Sequence, residues 1–253
     1  MPRIKDFKVI RVTVPFTRPV KWAWGVRRST TRHVVVLETD SGLTGYGETM
    51  GDYVITEIMQ MIKPLMVGLH PWEIRTFLDR VKRIPYYYGY LGYASIAGLE
   101  MAMWDLWGKC SGLPVYELLG GIPDGTRPGA KVAANLFYDP RVTGKEALTE
   151  LLRFAAQLLE DHGFSVIKYK SFGDPDVDVA TMKALRREFG SAIKLRIDPN
   201  GAWDVPTAIR VLQKISVAEL EYAEDPTSGI EAMSRVRAAV AVPLSTNMCV
   251  TTP

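Results

Sequence analysis

Three oxygen-bearing side chains, Asp198, Glu224 and Asn247, recur in the second half of the chain, each closing a short strand-like run: IKLRIDPN, ELEYAEDP and VPLSTN. Their separations are each about one βα unit. One such unit earlier, VIKYK sets Lys168 and Lys170 two residues apart. Residues i and i+2 of a strand point the same way, so the two lysines share a face and Tyr169 points oppositely. Asp, Glu and Asn oxygens are hard donors that suit Mg²⁺, which keeps waters or substrate oxygens in its octahedron. No His/Cys set suggests zinc. Two ammonium groups inside a barrel are costly unless an anion joins them, and a metal-bound carboxylate would supply that charge. Mutual repulsion and a nearby dication would lower a lysine pKa toward the range of a general base. Each residue taken singly has a plainer reading. The lysines could be a solvated pair at a strand end, Asp198 in DPNG a turn residue, and Glu224 a helix cap or surface acid. Recurrence at successive strand ends is what argues for a metal site facing a carboxylate.

The elements that must position these residues follow from hydrophobic period. Residues 4–14 alternate apolar and polar, 33–39 form a second strand, and the DSG turn leads into a third, LTGYGE, making an antiparallel meander. Between the first two strands, PVKWAWGVRRST reads as a loop. Helices are expected over 54–66, 71–83 and 94–110, the last stopped by SGLP. Residues 1–125 thus read as a small α+β domain. From about residue 130, KVAANLF, SVIKYK, AIKLRID, ELEYAED and VPLSTN alternate with helices over 144–161, 176–189, 205–215 and 229–239. Strict alternation argues for a parallel sheet, and no Gly-rich phosphate turn follows a strand. Ligand candidates at strand C-terminal ends fit a (β/α) barrel of the TIM type, which takes about eight strands. Residues 126–253 are therefore expected to be a partial α/β barrel, truncated after about five strands.

Bulk composition narrows the classes. The 253 residues are 47% hydrophobic and 23% charged, as in ordinary soluble globular chains. No apolar run suits a membrane span, and the charged, alternating MPRIKDFKVI is no signal peptide, so a cytoplasmic protein is expected. Net charge is +3 without a dense basic run, which argues against nucleic acid and suits a small anionic substrate. Cys110 and Cys249 make no disulfide framework.

In combination the motifs resemble the enolase superfamily, in its mandelate racemase/muconate lactonizing enzyme-like branch and glucarate dehydratase-like subgroup. HVVVLETDSGLTGYGE resembles the family's capping-domain hairpin, GLEMAMWDLWGKCSGLPVYELLGG the lead into the barrel, and VIKYK the base motif. LRIDPNGAW, YAEDP and STNMCVT resemble the three ligand strands, with Asn where many relatives carry an acid. Sites of this superfamily pair a Lys or His base with one or two Mg²⁺ ions. The resemblance implies that Lys170 abstracts the proton α to a carboxylate and that Lys168 neutralises that carboxylate. Asp198, Glu224 and Asn247 would hold Mg²⁺ against an enediolate, and loss of a β-hydroxyl would make the protein an acid-sugar dehydratase. Asn135, Asn200 and Arg27 would contact substrate, with Trp22–Arg28 and Gly51–Tyr53 as closing loops. For Arg27 a solvated loop position is equally open. Relatives carry a His–Asp pair on later strands as a second acid/base. His33, His70 and His162 do not suit that role, so the pair is expected beyond residue 253. A racemase, epimerase or cycloisomerase of the same superfamily, and a truncated scaffold without catalysis, are the alternatives. The exposed apolar edges of a partial barrel invite association, and a homo-oligomer is expected.

Overall fold

The computed structural model describes residues 1–122 and 132–250. The chain divides into two compact units, Met1–Phe16 with Ser29–Pro128, and Thr17–Arg28 with Gly129–Pro253. The domain boundary expected at 125/126, and Lys131 of the expected strand KVAANLF, lie outside the described residues.

A three-stranded sheet has the order β1 (Ile4–Trp22), β2 (Gly25–Thr39), β3 (Thr44–Met50), and the first unit holds it apart from the hairpin segment Thr17–Arg28, which belongs to the second. Strands β2 and β3 pair antiparallel, with His33 opposite Thr49. The segment read as a loop is strand instead, and β1 and β2 leave only Ala23 and Trp24 between them. Pro15 and Pro19 do not break β1 because it is an edge strand, where a missing N–H costs no ladder bond.

Helices α1 (Tyr53–Met66), α2 (Ile74–Val81) and α3 (Ile84–Ser111) follow, then a short α4 (Val115–Leu118). Asp52 caps α1 by accepting from Val54 N at 2.9 Å. Ile55, Ile58, Met59 and Ile62 bury its apolar face, each such side chain contributing about 1.5–3 kcal/mol. Helix α3 starts a turn and more before the expected residue 94, with a kink at Gly89. It rides close on β3, where a Cβ at Gly47 would overlap the Gly98 carbonyl.

The second unit holds a parallel sheet in sequential order: β4 (Ala134–Leu136), β5 (Val166–Lys170), β6 (Lys194–Asp198), β7 (Tyr222–Glu224) and β8 (Leu244–Ser245). Helices α5 (Lys145–His162), α6 (Pro175–Phe189), α7 (Val205–Lys214) and α8 (Ile230–Ala239) alternate with them. Asp174 and Asp204 cap α6 and α7 through Val177 N and Thr207 N, with Pro175 the first residue of α6 and Pro206 the second of α7. Sequential parallel order with alternating helices is the βα repeat of a TIM-type barrel, here through five strands. Tyr169 points into the helix-side core with Met182 and Leu185, so its neighbours Lys168 and Lys170 take the other face. Among the described residues no helix is long and apolar enough to cross a membrane.

Candidate active site

Strand register sets the side chains in layers. Lys170 lies beside Asp198 on β6, and Glu224 lies beside Ser245, two residues before Asn247. Lys168 lies in the layer below, flanked by Asn135 and Arg196. Its long stem carries the ammonium up to the acids, where Nζ donates to Glu224 Oε2 at 2.9 Å and lies 3.5 Å from Asp198 Oδ2. Lys170 donates to Asp198 Oδ2 and, at 3.0 Å, to Asn200 Oδ1. The remaining oxygens are also engaged. Asp198 Oδ1 accepts from Asn200 N at 2.9 Å, and Glu224 Oε1 accepts from Asn247 Nδ2 at 3.2 Å.

Both acids are buried, and the lysine side chains are only 18% and 17% exposed. Burial pulls the Lys168 ammonium down, but its hydrogen bond to Glu224 and the charges of Asp198 and Glu224 outweigh that and leave its pKa above the usual lysine value.

Six of the eight site candidates read from sequence thus form one cluster, two hydrogen-bonded groups joined by the Lys168–Asp198 ion pair: Lys168, Lys170, Asp198, Asn200, Glu224 and Asn247. Asn135 is exposed on the strand next to Lys168. Arg27 is exposed and stacks its guanidinium 4.5 Å from the centre of the Trp22 ring.

Three residues that sequence reasoning missed shape this cluster. Trp24, at the tip between β1 and β2, donates its indole N–H to the Asn200 carbonyl at 3.0 Å. Asp225 is fully buried and accepts from Thr246 Oγ1 at 2.5 Å and Asn247 N at 3.1 Å, which fixes the turn carrying Asn247. Asp178, on α6, accepts from Tyr169 OH at 2.8 Å, Ser171 Oγ at 2.6 Å and Phe172 N at 2.8 Å, and so ties down the strand end that bears Lys170. The sequence signals were the closing segment Trp22–Arg28, which contains Trp24, and the second acid in YAEDP; none pointed to Asp178.

Comparison with known proteins agrees with the fold. Residues 5–120 match the mandelate racemase / muconate lactonizing enzyme N-terminal domain, and residues 150–253 match the enolase C-terminal domain-like model of the same family. A probable glucarate dehydratase of Streptomyces coelicolor is 35% identical over 88% of this chain and 58% of its own length. A hydrophobic dipeptide epimerase of Enterococcus faecalis is 27% identical over 88% of this chain and 61% of its own. The crystal structure of an enolase from Thermobispora bispora, complexed with magnesium and formate, superposes with a TM-score of 0.82 at 33% identity, over 100% of this chain and 65% of that one. The chain spans about three fifths of the curated relatives it matches. With two domain models of one family matched in tandem on a fold that agrees with them, this chain belongs to the mandelate racemase / muconate lactonizing enzyme family of the enolase superfamily.

Proposed function

We propose that this chain carries the base and the metal-binding side of a Mg²⁺-dependent acid-sugar dehydratase of the glucarate dehydratase-like kind. The observation behind this reading is the convergence of Lys168 and Lys170 with Asp198, Glu224 and Asn247 at the C-terminal ends of adjacent parallel strands. Similarity to a probable glucarate dehydratase supports the reaction class, and the magnesium bound in the Thermobispora enolase supports the metal.

The donor set fits Mg²⁺ in kind. Asp198 and Glu224 are buried carboxylates that share one ammonium, so a cation already stands between them. Among the described residues no three His, Cys, Asp or Glu side chains converge as a metal site, so the third oxygen falls to the Asn247 amide. A half-turn of that amide exchanges Nδ2 for Oδ1 toward Glu224. When bound, Mg²⁺ would supply positive charge beside the substrate carboxylate as the adjacent carbon loses its proton.

Lys170 is assigned as the base. Released from Asp198, its Nζ lone pair takes the α-proton, and the C–H electron pair passes into the carboxylate. Lys168 remains charged against that carboxylate, a role its raised pKa favours. Electron return expels the β-hydroxyl, which leaves as water with a proton from an acid group, and the resulting enol becomes a keto-deoxy acid. Asn200 beside Lys170, Asn135 beside Lys168 and exposed Arg27 are assigned to substrate. A small anionic sugar acid as partner, homo-oligomeric assembly and cytoplasmic residence complete the reading.

The test is α-proton exchange in D₂O with a panel of aldarates and aldonates and Mg²⁺, followed by proton NMR. Exchange is expected to vanish in Lys170→Ala while Mg²⁺ still binds, and undiminished exchange would sink the base assignment. Ketone product, detected with semicarbazide, marks dehydration. Exchange without ketone turns the reading to a racemase or epimerase, and no exchange in the unaltered chain turns it to a scaffold.

A further inference from the structure

A cavity of about 820 Å³ lies within the second unit, lined by side chains of the β4–α5 connection, α5, the turn after β5, α6 and the hairpin segment 17–28. None of Lys168, Lys170, Asp198 or Glu224 lines it, so it is separate from the acid–lysine cluster. Its walls are apolar: Val142, Leu148, Phe172 and Val177, with the Tyr138 and Phe172 rings packed edge to face at 5.2 Å.

Two lysines, Lys21 and the exposed Lys145, belong to the lining. Lys21 is placed by backbone pairing, its N–H donating to Tyr138 O at 2.8 Å. Its Nζ rests on the Trp22 carbonyl at 3.1 Å and 5.1 Å from the centre of the Phe172 ring. Among the described residues neither lysine makes an ion pair, whereas the one acid of the lining, Asp139, is held by Arg141. That pairing keeps the Asp139 carboxyl down at about 2, so its charge is already answered. What is left unanswered in the lining is positive.

Concave apolar walls with a few fixed polar groups are the form of a small-molecule site, and a volume in this range holds a ligand of drug size. We infer that the cavity binds an amphipathic monocarboxylate, with an aliphatic or aromatic body against Leu148, Phe172 and Val177 and its carboxylate on Lys21 and Lys145. The inference does not depend on the function proposed above.

Octanoate serves as the probe, titrated into this chain by calorimetry, with 1-octanol as the neutral counterpart. Saturable octanoate binding is expected, about tenfold weaker in Lys21→Gln, as for loss of one charge-assisted contact, and weaker still for octanol, which loses the charge from both. Leu148→Trp, which fills the cavity, should abolish binding. Should that variant misfold by circular dichroism, Lys21→Gln and octanol still decide. Lys170→Ala should bind octanoate as the unaltered chain does. Failure to saturate, equal binding by Lys21→Gln, or loss in Lys170→Ala would each overturn the assignment, the last by moving the carboxylate to the acid–lysine cluster.

Discussion

Lys168 and Glu224 are 56 residues apart in sequence and 2.9 Å apart in space, Nζ to Oε2, joining β5 to β7 across β6. The same ammonium lies 3.5 Å from Asp198, on the strand between. One lysine thus answers two buried acids, and it does so where oxygen ligands of a dication would have to stand.

Removing that ammonium should destabilise the second unit. Lys168→Met leaves two buried carboxylates short of one counter-charge, a loss of about 2–4 kcal/mol for a pair this sheltered. Urea unfolding should show it. Mg²⁺ at ten times its Kd should return about 1.4 kcal/mol to the variant if the acids take the ion. An unaltered midpoint, or a variant indifferent to Mg²⁺, would contradict this account of the charge balance.

The hairpin tip is held to the same cluster by few contacts. Trp24 is 62% exposed, yet its indole is fixed on the Asn200 carbonyl, and a Cβ at Gly173 would stand 3.0 Å from Ala23 Cα. Trp24→Phe removes the hydrogen bond and should raise tryptic cleavage at Lys21, Arg27 and Arg28 about fivefold, the effect of about 1 kcal/mol on local opening. Gly173→Ala should act likewise, since its φ of +96° is strained for alanine as well. Cleavage at the unaltered rate would show that the tip is held by other contacts.

The parallel sheet and its polar strand ends were legible because both rest on local signals: strand–helix alternation and motifs such as VIKYK and YAEDP. What was not legible depends on long-range partners. Trp24 meets Asn200 across 176 residues, and although Trp22–Arg28 reads as a closing loop, nothing in it singles out this bond. Asp178 sits in the first turn of an amphipathic helix, where an acid ordinarily faces water, and only the packed structure shows it buried. The segment around Pro15 and Pro19 reads as loop by composition, and its strand character comes from occupying a sheet edge. The raised Lys168 pKa is of the same kind, since its direction depends on how two acids from other strands approach.

Asp178 offers a sharper test of how the lysine strand end is held. Burial raises its pKa, while three donors, Ser171 Oγ, Phe172 N and Tyr169 OH, oppose that shift. Asp178→Ala would strand all three donors in a dry site at about 1–3 kcal/mol for each one left unsatisfied, so a loss of at least about 2 kcal/mol is expected. Asp178→Asn keeps an acceptor and should lose less. Thermal unfolding of both variants orders them, and equal losses would mean that packing volume rather than hydrogen bonding dominates.

His33 makes stability in the first unit depend on pH. It is 1% exposed, and among the described residues its Nδ1 has no hydrogen-bond partner. Burial lowers its pKa below 6.5, the charge of Arg11 lowers it further, and the Met50 backbone and Asp52 only partly offset them. The unfolded chain therefore takes up the proton at a pH where the folded chain does not. Stability contributed by neutral His33 is whole above 6.5 and falls as pH drops from 6.5 toward the lowered folded value. Urea midpoints measured from pH 7.5 downward should decline in that window, and His33→Gln, which does not titrate, should flatten the decline. A variant that declines as steeply as the unaltered chain would assign the dependence to other groups.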